Sequence, residues 1–315
     1  MIFGTPISWF IAEILSVILF ILCIVHAARQ ENGIIRILEL FGFLIYSAIY
    51  ENIGVYTTMY NYDLHRIMMI GKVPIEILLI EAVTLYACIA LADKLHIPAW
   101  GKPFVVGFLT SIQDMTLDPA SVYDRHLFNG VLSGQWNWQL HYSGTFFGIP
   151  FFNFSGWLYM MGYYVLVIEL GKWWLKKSKK EIVGYIYPFL STVAALLLLV
   201  SPITRFTLFG MPFYAMYTRV AELVLMIVNF AVSLFILIKY MKIDQPFEIK
   251  RDYPIFVVPI VLHGFDLLVT LILQLKAALI PVCLVSLIHI AFLIFVYQRG
   301  KKTKADPSPE FSPVN

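Results

Sequence analysis

The sequence predicts an all-α fold: a polytopic transmembrane bundle of about nine spanning helices, and at least eight. Composition, the spacing of apolar runs and the placement of basic residues carry that expectation. Hydrophobic residues make up 60% of the chain, charged residues 14%, and the mean hydropathy is +0.78. Soluble domains carry roughly 25% charged residues, so lipid is the simpler solvent for this much apolar surface. The net charge of +3 is small, and nucleic acid is not an expected partner. Cys23, Cys88 and Cys283 all lie inside apolar runs, which argues against a disulfide framework or a thiolate metal cluster.

A spanning helix needs about 20 mostly apolar residues. The first candidate, Ile7–Ala27, starts almost at Met1 without a basic n-region and is long enough to span, so it reads as a retained helix rather than a cleaved signal. Ile34–Val55 and Val73–Ala92 follow, then the short Pro103–Asp118. Beyond a long connection come Phe152–Gly171, Ile182–Pro202 and Met216–Tyr240. Tyr253–Gln274 and Ala277–Tyr297 nearly touch and complete the set. Residues 1–304 therefore read as one transmembrane helical domain, and the Pro- and Ser-rich residues 305–315 as a disordered tail.

With nine spans, 17 of the 23 Lys and Arg residues fall on one side, including five between Lys172 and Lys180. The positive-inside rule then places the protein in the cell membrane with its C-terminus cytoplasmic and its N-terminus outside. Two outer connections stand out. Tyr56–Lys72 is crowded with Tyr, Thr, Asn and His, and Pro119–Pro150 is long and rich in Trp, Asn, Gln and Gly. Long aromatic connections are usually packed functional elements. No internal repeat is visible, which weighs against a transporter built from duplicated halves.

Ten acidic residues lie inside the apolar runs. Each costs at least a few kcal/mol there, so such groups face the bundle interior and are functional suspects. Asp114 and Asp118 share a helix face with Thr110, and Pro119 is expected to end or kink the helix at Asp118. A like charge one turn away, an apolar surround and the negative end of the helix dipole all oppose ionisation. A neutral carboxylic acid in such a place is a candidate proton donor. The competing structural reading is a hydrogen-bonded helix-end pair tying down the long connection.

Glu51 follows Tyr46 and Tyr50 at helical spacing and precedes Gly54, which permits close approach of a neighbour. Glu76 and Glu81, five apart, do not share a face. His26, His263 and His289 sit in apolar runs without one-turn spacing, and read as separately satisfied histidines rather than haem ligands. Trp136, Trp138 and Trp157 are either interfacial anchors or π-faces for a cation.

The succession Leu117-Asp118-Pro119, Trp136-Asn137-Trp138, Phe147-Gly148-Ile149-Pro150 and Asn153-Phe154-Ser155-Gly156-Trp157 resembles the integral-membrane carotenoid biosynthesis proteins. Upstream, Glu51-Asn52-Ile53-Gly54-Val55 and Val73-Pro74 fit the same family. Its characterised members are carotenoid hydratases acting on acyclic ends, of the bisanhydrobacterioruberin hydratase and gamma-carotene hydratase types. Met59-Tyr60-Asn61-Tyr62 departs from the family's Phe-Gly-x-Tyr element, and Glu76 and Glu81 stand where apolar or Trp residues are expected.

The resemblance implies an enzyme, a hydro-lyase, that protonates a terminal C=C to a tertiary carbocation and captures it with water, needing neither metal nor redox cofactor. It assigns proton donation to Asp118 or Asp114 and water orientation to Glu51. Trp136, Trp138, Tyr60 and Tyr62 would shield the cation, with Asn153 and Trp157 also binding substrate. The expected partners are a lipophilic polyene or isoprenoid substrate, membrane lipid and other membrane enzymes of the pathway. Two rivals stand beside it. One is a membrane prenyltransferase using Asp114-x-x-x-Asp118 to hold Mg²⁺ on a diphosphate; it wants a second acidic cluster facing the first, and the comparable set Asp244/Glu248/Asp252 falls on the opposite side of the expected topology. The other is a proton-coupled transporter or structural membrane protein.

Overall fold

A bilayer interior offers no partner to a free backbone N–H or C=O, so long apolar runs close their hydrogen bonds internally as helices. A computed structural model describes residues 1–138, 145–204 and 219–305. Its nine long helices, among the described residues, are α1 (Ile7–Ala28), α2 (Gly33–Tyr56), α3 (Ile75–Lys94), α4 (Lys102–Tyr123), α5 (Phe151–Ser178), α6 (Glu181–Leu199), α7 (Arg219–Tyr240), α8 (Tyr253–Ile272) and α9 (Lys276–Ala305). The start of the seventh expected segment, 216–218, and the tail from 306 onward lie outside the described residues.

Eight of the nine helices are long and apolar enough to cross a membrane. Their outward faces are greasy: on α1, Ile7, Ile11, Ile14, Ile18 and Ile21 are exposed, while Glu13, Ser16 and His26 turn inward. The exception is α4, which is long enough to span but carries too many polar residues. It tolerates them because 17 of its 22 residues are buried among other helices rather than facing lipid.

The expected helix end at Asp118 does not occur. Helix α4 runs through Pro119 to Tyr123, and the Asp124 N–H still bonds the Ala120 carbonyl at 3.1 Å. Proline removes one N–H, yet residues 117–122 are all buried, so helical geometry remains the cheapest way to satisfy the others. The long connection is thus 124–150, of which 139–144 lie outside the described residues.

At the end of the bundle where α2 and α4 finish and α3 and α5 begin, the connections form short antiparallel ladders, such as β2 (Met69–Ile70) with β3 (Val73–Pro74). The pairing of β4 (His126–Phe128) with β5 (Val131–Ser133) turns at Asn129-Gly130, both at positive φ, as a tight hairpin requires. More consequential is a ladder between the two connections singled out in the sequence: β1 (Tyr60–Tyr62) pairs with β6 (Trp136–Trp138).

Candidate active site

Strand side chains alternate between faces, so Tyr-Asn-Tyr and Trp-Asn-Trp each place two aromatics on one side. The register sets Tyr60 opposite Trp138 and Tyr62 opposite Trp136. The aromatic pairs meet edge to face, with centroids 4.8 and 5.9 Å apart. This four-ring face closes over polar residues from α2, α4 and α5.

All nine residues singled out in the sequence line one cavity: Glu51, Tyr60, Tyr62, Asp114, Asp118, Trp136, Trp138, Asn153 and Trp157. Tyr50 and Glu81 join them, with Ile77 and Leu117 as apolar wall. The cavity is about 30 Å³, room for a water molecule or two. Four carboxyl side chains line it and, among the described residues, no Lys or Arg does. Thr110, expected on the same stripe, bonds its own helix at the Gly107 carbonyl (2.9 Å) and stays out.

Helix α4 supplies Asp114 and Asp118 one turn apart. The Asn153 side-chain amide, at the start of α5, donates to Asp114 Oδ2 and Asp118 Oδ2, each at 2.6 Å. Asp118 Oδ1 accepts the indole N–H groups of Trp136 (2.5 Å) and Trp138 (3.1 Å). The tryptophans therefore do more than offer π-faces: their N–H groups orient a carboxylate, a use that residue type alone did not disclose.

Across the cavity, Glu51 Oε2 accepts the phenol hydroxyls of Tyr60 (2.8 Å) and Tyr62 (2.5 Å). Burial, then the neighbouring Glu51 charge, pushes both phenols well above their ordinary range, so they remain donors. Gly54, one turn beyond Glu51, makes this approach possible, because a Cβ there would run into the Tyr60 hydroxyl.

Glu81 was visible in the sequence as an acid in an apolar run, but nothing local said what its face would meet. It accepts a hydrogen bond from Ser47 on α2 and lies within hydrogen-bonding reach of Glu51. Glu76, on another face of α3, pairs with Arg66 at 2.6 Å, both side chains fully enclosed. Arg66 also bonds Gln135 beside β6 and lies 4.6 Å from the Trp9 ring centre, while Glu13 accepts the Ile67 N–H. This knot fastens the β1 connection to α1, α3 and the β6 strand.

The opposite face of α4 carries a second polar network. His263 and His289 bond each other at 2.8 Å, so they are a pair rather than separately satisfied histidines. Thr116 reaches His263 at 3.1 Å and Asp266 at 2.9 Å. Sequence spacing missed this pair because its members sit on different helices, α8 and α9. The acidic residues Asp244 and Asp252 lie away from the cavity, as expected: Asp252 pairs with Lys94 at the far end of α3 (3.2 Å), and Asp244 with His96 (2.9 Å).

A family model described as carotenoid biosynthesis protein matches residues 10–225. No curated protein and no solved structure matches the chain. The matched region holds every cavity residue named above, while α8 and α9 lie beyond it.

Proposed function

This chain belongs to the carotenoid biosynthesis protein family, and from that premise we propose that it hydrates a terminal C=C of an acyclic carotenoid or related polyene. The observation that carries the reading is the composition of the cavity: four carboxyls, three of them fixed by indole, phenol and amide donors, with aromatic rings around a water-sized space.

Hydration of a trisubstituted alkene needs an acid strong enough to protonate carbon, a surround that stabilises the tertiary cation, and a base that takes a proton from the attacking water. Asp118, held by three N–H groups, is the carboxyl that faces the cation and balances its charge. Asp114 receives the Asn153 amide on one oxygen, and its other oxygen can carry the proton. The Asp114 proton goes to the CH carbon of the terminal alkene, and the cation forms on the adjacent dimethyl-substituted carbon. Water then adds there, and Glu51, oriented by Tyr60 and Tyr62, takes the water's proton. The aromatic cap shields the cation from premature capture. These steps call for neither a metal nor a redox cofactor.

The test is expression in a host that accumulates lycopene, beside a strain making a C50 precursor, with pigments compared by mass against an empty vector. A product heavier by one water, missing from an Asp114→Asn strain, supports the reading. Unchanged pigments with verified membrane expression would remove it.

A further inference from the structure

Adding water to an alkene consumes no net proton, but it moves one within the enzyme. On the reading above, Asp114 loses a proton to carbon and Glu51 gains one from water. The site is buried, and a second turnover requires that proton to return from Glu51 to Asp114.

Glu81 stands where that return can run. It is 1% exposed, lines the same cavity as Asp114, and lies within hydrogen-bonding reach of Glu51. Two carboxyl groups bond each other only through a proton. Glu51 Oε2 already accepts two phenol hydroxyls, so of the two carboxyls Glu81 is the one placed to donate. Ser47 holds the other side of Glu81 by donating to Oε2. Neither its place in the sequence nor the resemblance assigns Glu81 a role.

We infer that Glu81 is the proton-return residue of this site, passing its own proton to the Asp114 carboxylate and taking the new one from Glu51. The inference rests on the hydratase reading for its purpose, but not for the shared proton itself. The step balances: Glu51 ends deprotonated, Asp114 and Glu81 end protonated, and the O–H formed on Asp114 replaces the one spent on carbon. A water in the 30 Å³ cavity can bridge Glu81 to Asp114.

Glu81→Gln is the discriminating variant. The amide fills the same space and can still donate to Glu51, but it cannot pass a proton on. In rapid-quench measurements on purified, lipid-reconstituted enzyme, this variant is expected to keep the first turnover near the wild-type rate. Its later turnovers should slow by about 10² or more, the usual scale of general acid–base loss. Glu81→Asp should recover part of the steady-state rate. Steady turnover equal to wild type, or loss of the first turnover as well, would overturn the inference.

A readout independent of activity accompanies it. The infrared carbonyl band of the protonated Glu81 carboxyl should be present in resting wild-type protein, lost in Glu81→Gln, and shifted but still present in Glu51→Gln. If the band behaves so and no polyene is hydrated, the shared proton stands and the hydratase reading falls. If the band is unchanged in Glu81→Gln, the inference falls regardless of activity.

Discussion

The two faces of α4 handle the same problem, polar groups at membrane depth, in opposite ways. Toward α8 and α9, Thr116, His263, Asp266 and His289 close on one another in a continuous chain of bonds 2.8 to 3.1 Å long. Imidazoles supply donors and acceptors together, so that network satisfies itself and acts as interhelical glue. Toward α2, α3 and α5, four carboxyls crowd a cavity with no Lys or Arg among its described lining. Carboxylates are acceptors only, so this face imports its donors from Tyr60, Tyr62, Trp136, Trp138 and Asn153. An excess of acid held open around a water-sized space has no evident value to the fold. That excess supports placing the proposed chemistry on this face.

The largest expected effect lies on the cavity face. Asp114→Asn should lower turnover by about 10³-fold, near 4 kcal/mol of barrier, while leaving thermal unfolding in detergent close to wild type. A large stability loss with unchanged turnover would mean that both faces are glue. Arg66→Gln tests the knot that fastens the aromatic cap. It strands the buried Glu76 carboxylate and should destabilise the fold by about 3 kcal/mol, read as a lowered unfolding temperature. Trp136→Phe keeps the ring and removes one N–H donor to Asp118, so a turnover loss of about tenfold is expected. Activity equal to wild type in the Phe variant would mean that the ring suffices and the N–H is irrelevant. The smallest effect belongs to the other face: Thr116→Val should cost about 0.6 kcal/mol in stability and leave steady-state rates unchanged. A marked fall in its turnover would erase the contrast between the faces.

Much of the site was legible as residue types. Asp114 and Asp118 stood out because acids are expensive in apolar runs, and their four-residue spacing put them on one face. Tyr60, Tyr62, Trp136 and Trp138 stood out as aromatics alternating in connections too rich for disorder. Helix periodicity could also say that Glu76 and Glu81 part company, but not that one meets Arg66 and the other Glu51. The end of α4 was misplaced because Pro119 was weighed by its local cost. The surrounding burial, which overrides that cost, is not a property of nearby sequence.

By itself, then, the sequence determined the solvent and the helices, since apolar runs of spanning length in lipid have one way to satisfy their backbones. It also determined which side chains were too polar to face that solvent. The tertiary structure alone decided who meets whom: a β1–β6 ladder joining connections about 75 residues apart in the chain, indoles turned edge-on to Asp118, and a histidine pair drawn from two helices. Those meetings depend on register and rotation between elements distant in the chain, and hydrogen bonds a few ångströms long are sensitive to both.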